Sequence, residues 1–320
     1  MRHLKLFESI TEIEVKKICK KYNIRNWTLR SNGKVDVDGD VDLSIRKITT
    51  IPLEFGIVTG DFACARNHLI SLEGAPEEVG GHFVCQQNKL TSLEGAPNKV
   101  GRAFLCQENK LTNLIGVPSK INENFYCYRN QITSLEGGPQ EIEGRFDCSK
   151  NKLTTLKGGP KTVRDFFCYN NILTNLEGSP EIVLGSFKCQ DNKLTSLKGC
   201  PKEIGDSFRC SSNMLETLEG GPDVVYGYFD CHDNPLKSLL GAPQEISTSF
   251  SYPPDGGLPK YFCDFLELNP EYKVRKYLIK WQKEYGVWRR DGSFNKDRFI
   301  LMMQDAQEEI EELKSIKFPK

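Results

Sequence analysis

The chain has 320 residues, 38% of them apolar, and carries 43 basic and 43 acidic side chains for no net charge. That balance excludes recognition of nucleic acid or an anionic membrane by a uniformly basic surface, and no apolar run is long enough to span a bilayer as a helix. The low apolar share fits an array in which every unit buries one thin inner row, rather than a thick globular core.

The first residues, Met1-Arg2-His3-Leu4-Lys5, turn charged before any apolar stretch, so no secretory leader is expected. Residues 8–22 have helical spacing, with Ile10, Ile13, Val15, Ile18 and Cys19 between Lys and Glu, and should form a packing cap. Trp27 and Leu29, then Asn32-Gly33, then Val35, Val37 and Val41 predict a β-hairpin whose second strand leads into a repeating array. Together, residues 1–42 form the expected N-terminal cap.

From residue 43 to 252 one pattern dominates, F-x-C-x-x-N-x-L-x-x-L-x-G-x-P-x-x-(V/I). Its cysteines stand at 64, 85, 106, 127, 148, 168, 189, 210 and 231, 21 residues apart except for one step of 20. A fixed period of this size predicts a solenoid. Side chains alternate along a strand, so in Phe83-Val84-Cys85 the outer two point inward and Val84 points out. An asparagine three residues after each cysteine can bond backbone groups that the turn leaves unpaired. Leu90 and Leu93 return to the core, while Gly95 and Pro97 oppose a helix and favour an extended return. The array opens on a degenerate turn, where Leu43 takes the Cys place and Arg46 the Asn place, and closes at Phe250 and Tyr252.

Residues 253–259 (PPDGGLP) read as a linker. Residues 261–268, 273–285 and 295–316 have helical spacing, with Asp291-Gly292 as a turn, so 253–320 forms a helical C-terminal region. Its 273–298 stretch carries nine Lys/Arg against three acids, making it the one place where a nucleic-acid contact is conceivable; the bland reading is a solvated cap.

Nine of the twelve cysteines hold a core position of the repeat, which predicts small apolar residues kept as reduced thiols, as in a cytosol. No C-x-x-C pair suggests zinc, the four histidines are scattered, and no acid, base or nucleophile converges on a site. We therefore expect no cofactor and no catalysis. The outward stripe is more informative. It runs Val84, Leu105, Tyr126, Asp147, Phe167, Lys188, Arg209, with Tyr128 and Tyr169 beside it. Aromatic residues around Asp147 with a charged rim are what a protein-binding hot spot needs, and aromatic stripes also leave a glycan ligand open.

The repeat resembles the short bacterial leucine-rich repeat of secreted effectors from enteric pathogens, in which a Pro-containing segment replaces the convex helix. Its wording, NKLTSLEGAP and NKLTSLKGCP joined by G-x-F-x-C, is more similar still to repeat proteins encoded by large tailed bacteriophages. The resemblance covers about residues 35–252. It implies a mainly β solenoid of leucine-rich repeats with parallel strands and helical caps, acting in the host cytosol as a non-enzymatic module that binds a protein on its concave strand face. A virion-associated protein and a glycan-binding adhesin are the alternatives. For the former, Met1–Ser9 resembles leaders that direct proteins into phage heads, with Leu6-Phe7-Glu8 similar to a processing site.

Overall fold

The computed structural model describes residues 10–252, 257–270 and 272–319. The expectations for residues 1–8 and for most of the linker fall outside them. The chain divides into two compact units, Met1–Arg145 and Phe146–Lys320.

In the first unit, helix α1 (Glu12–Tyr22) begins later than its periodicity suggests because Thr11 caps it. The Thr11 side chain accepts from the Glu14 N–H, and the Glu14 carboxylate accepts from the Thr11 N–H, a reciprocal cap that satisfies two otherwise orphaned donors. Trp27–Leu29 pairs antiparallel with Val35–Val37, as expected of the hairpin. Beyond the hairpin the turns repeat, each carrying two short strands. The front row runs in parallel through Val41–Asp42, Phe62–Ala63, Phe83–Val84, Phe104–Leu105 and Phe125–Tyr126. On the return side, Val35–Val37, Phe55–Val58, Glu78–Val79 and Lys99–Val100 pair in parallel, and Lys120–Ile121 pairs with Glu141–Ile142. The parallel rows thus begin at Val35 and Val41, inside the hairpin, before the degenerate turn at Leu43.

The second unit repeats this plan. Asp165–Phe167, Phe187–Lys188, Phe208–Arg209, Phe229–Asp230 and Phe250–Ser251 form its front row. Thr162–Val163, Ile182–Val183, Glu203–Ile204, Val224–Val225 and Glu245–Ile246 form its return row. The return rows are a finding beyond the expected extended segment. Their inward column, Val163, Val183, Ile204, Val225 and Ile246, is buried, and β-branched residues suit it.

Between front and return rows lies the core. Phe62, Phe83, Phe104 and Phe125 are fully buried, with consecutive ring centroids 5.8, 5.0 and 5.7 Å apart. In the second unit Phe146, Phe166, Phe187, Phe208, Phe229 and Phe250 continue at 5.3–5.8 Å. The ladder cysteines and the two aliphatic residues of each repeat, leucines except for Ile132, fill the rest, at 0% exposure.

The residue before each asparagine is left-handed: Arg66, Gln87, Glu108 and Arg129 in the first unit, Lys150, Asn170, Asp191, Ser212 and Asp233 in the second, all with φ between 50 and 58°. This conformation is costly for most L-residues and worst for β-branched ones. Lys150→Val should therefore lower stability by about 1–2 kcal/mol, and Lys150→Asn should hold or raise it, both read by urea denaturation. Equal stability of the two variants would count against a strained position.

Helices α2 (Lys260–Leu268), α3 (Tyr272–Trp281) and α4 (Lys296–Glu309) complete the second unit. Helix α3 stops four residues short of expectation and α4 seven short, since Ile310 turns extended. Phe262, Phe265, Trp288 and Phe299 form a buried cluster, and α3 lies against the final strands of both rows. No helix among the described residues is long and apolar enough to cross a membrane.

Candidate functional site

What holds the outward stripe in register is the asparagine of each turn. The Asn88 amide donates to the Cys64, Cys85 and Gln86 carbonyls at 3.0–3.3 Å, and its oxygen accepts the Leu69 N–H at 3.0 Å. Asn213 does the same with Cys189, Cys210 and Ser211 at 3.0–3.2 Å and the Leu194 N–H at 3.0 Å. Asn88 in the first unit and Asn213 in the second thus tie their own turn to the one before. This architecture is a leucine-rich-repeat solenoid.

Comparison with known proteins finds likeness at the level of solved structures. No protein family matches the chain, and no curated protein does. Among solved structures, YopM from Yersinia enterocolitica WA-314 is similar at 16% identity and a TM-score of 0.39. The match covers 67% of this chain and 64% of that one, so the leucine-rich-repeat chain spans less than two thirds of its neighbour.

The predicted site residues of the solenoid fall into two groups, one in each unit. In the first, Val84, Leu105, Tyr126 and Tyr128 stand half-buried on the strand face, with the two tyrosine rings 6.2 Å apart. Beside them Gln107 donates to Gln86, and Arg66, Gln87, Glu108 and Arg129 link side chain to side chain along the left-handed column. Sequence reasoning missed that polar ladder, although its in-phase Arg and Gln/Glu residues could have shown it.

In the second unit, two expectations need correction. Asp147 and Phe167 were expected to be exposed, and both are buried, at 8% and 6% exposure. Asp147 accepts from the Ser149 N–H at 3.0 Å and from its hydroxyl at 2.6 Å, so its carboxylate is turned onto its own turn. Phe167 lies under the Lys188 ammonium, 4.4 Å from the ring centroid, an arrangement that favours the cation. Tyr169 is half-buried, its ring 6.4 Å from that of Phe167, and Arg209 is exposed, with its guanidinium 5.8 Å from the Tyr228 ring. Asp230, in the same column, is also buried. It accepts from the Ser211 hydroxyl at 3.2 Å and meets Nδ1 of His232, whose Nε2 lies 3.3 Å from Asp233. What the face offers a partner is therefore Tyr169, Lys188 and Arg209, beside Asp147 and Asp230 carboxylates that are already hydrogen-bonded within the face.

Among the described residues, no three His, Cys, Asp or Glu side chains are arranged to hold a metal. Eleven cysteines are buried; Cys263 is half-buried, its thiol toward the Leu258 carbonyl at 3.7 Å. Burial pushes the Cys19 thiol up to about 11 and Cys64 up to about 12, and burial, helped by neighbouring thiols, holds the ladder thiols Cys85, Cys189 and Cys210 well above the ordinary thiol range. The thiolate is the reacting form. Iodoacetamide at pH 8 should thus label Cys263 first and the others only in denaturant, as read by peptide mass spectrometry. Early labelling of a ladder cysteine would contradict the burial.

Proposed function

We propose that the protein is a non-enzymatic interaction module that binds a partner protein through the strand face of its leucine-rich repeats. The observation that carries this reading is the patch of Tyr169, Lys188 and Arg209 seated on buried Phe167 and Asp147. Aromatic and Arg side chains are the residue types that dominate binding energy at interfaces. Val84, Leu105, Tyr126 and Tyr128 supply the corresponding apolar and aromatic surface of the first unit. Leucine-rich-repeat folds commonly serve as binding scaffolds, and the wording shared with phage repeat proteins supports a host protein as the partner, met in the host cytosol.

The test is capture from host lysate with three baits. These are the native chain, Tyr169→Ser/Arg209→Glu on the strand face, and Leu184→Ser/Tyr226→Ser on the return face, where those side chains are 64% and 53% exposed. A partner lost with the first variant and kept by the second supports the proposal; the reverse sinks it. Capture abolished by glycosidase would favour a sugar ligand instead, and capture abolished by nuclease would point to the basic 273–298 stretch.

A further inference from the structure

We propose that a cleft of about 300 Å³ in the second unit binds a small organic carboxylate with an apolar body. One wall is the return side of the last repeats, including Glu219 and Leu239; the other is Ile279 of α3 with Gln282 and Lys283 after it, and Trp288. The volume sits at the small end of ligand sites, which combine apolar walls with a few converging polar groups. Leu239, Ile279 and Trp288 supply the apolar part, at 0%, 2% and 7% exposure.

Gln282 supplies the polar part. It is 5% exposed, and its Oε1 accepts the Trp288 indole N–H at 2.7 Å. That bond sets the orientation of the amide, because an indole can only donate. The end left over is Nε2, a donor that makes no hydrogen bond among the described residues of a side chain lining the cleft. That donor is open to the cleft rather than sealed in the core, so an incoming oxygen can reach it, and the bond to Trp288 holds it in place for that oxygen. Lys283 is exposed beside it and has no carboxylate partner among the described residues, whereas the other lysine of the cleft, Lys202, is paired with Asp223 at 3.7 Å. An anionic oxygen acceptor would take the donor and the cation together, and charge-assisted bonds of this kind are the stronger ones. Glu219 on the facing wall disfavours a second negative charge, which selects a monoanion. This site is separate from the strand face, and neither reading depends on the other.

The Trp288 indole resonance reports on the site directly, since Gln282 holds that N–H. In a 15N-labelled full chain it is assigned by elimination with Trp27→Phe and Trp281→Phe. Titration with 3-phenylpropionate should shift it saturably, and the neutral 3-phenylpropanamide should bind at least about tenfold more weakly. Gln282→Glu keeps an oxygen for Trp288 and replaces the donor with an anion, so binding should be lost while the fold survives. The exposed Lys283→Ala change should weaken binding without touching the fold. A flat titration, equal binding of acid and amide, or full binding by both folded variants would overturn the proposal.

Discussion

Replacing Asn213 by aspartate should destabilise the second unit by about 3–5 kcal/mol at neutral pH, the cost of leaving a buried charge unpaired. The two side chains have the same shape, so no cavity or clash complicates the result. What changes is that an NH2 group facing the Cys189, Cys210 and Ser211 carbonyls becomes an oxygen facing them. Three acceptors lose their donor, and a carboxylate is held against carbonyl oxygens in a residue only 8% exposed. Asn213→Ala should cost less, about 2–3 kcal/mol, because it removes bonds without adding repulsion. Urea denaturation of both variants checks the order. The aspartate penalty should also shrink as pH falls, since burial raises the folded-state pKa of the new carboxyl above its unfolded value and protonation then favours the folded form. Aspartate as stable as asparagine at pH 7 would mean that the ladder contributes no net stability.

The second large effect belongs to the phenylalanine column. Phe104→Ala should cost about 3–5 kcal/mol, as expected for truncating a fully buried aromatic residue. Phe104→Leu, which keeps most of the volume, should cost less than about 2 kcal/mol. The Phe104 ring stands 5.0 Å from Phe83 and 5.7 Å from Phe125, so its loss opens a void inside a stack rather than at an edge. Because each turn touches only its neighbours, amide exchange should rise first in the turns carrying Cys85, Cys106 and Cys127. A rise spread evenly over the first unit would argue for more cooperative unfolding than this geometry implies.

Much of the fold is legible in the residues because the repeat states each role many times over. A single Phe-x-Cys is an ambiguous fragment, whereas nine in phase leave one reading, and the backward bonds of Asn88 and Asn213 arise from the short amide placed just after the strand. The return rows were less legible. Glu78–Val79 and Glu203–Ile204 are two residues long, too short to show alternation, and only the in-phase Val/Ile column betrays them. The strand face illustrates a different limit. Alternation correctly sends Asp147 and Phe167 to the outer side, but it says nothing about what covers a side chain once there. Ser149 and Lys188 decide that, and they come from the same turn and from a later turn of the chain. The cleft beside Trp288 had no signature, since it joins Gln282 to repeat turns that lie well before it in sequence, from Lys202 to Gln244.

The asparagines also give the array a direction in time. Asn67 reaches back to the Leu43 carbonyl and to the Arg46 and Ile48 amides, and Asn234 reaches back to Cys210 and Leu215 in the same way. During synthesis, then, a turn emerging from the ribosome stays open at its strand end until the next turn arrives and closes it. Growth by duplication is equally simple, because an inserted copy seals its predecessor and is sealed by its successor without any other residue having to change.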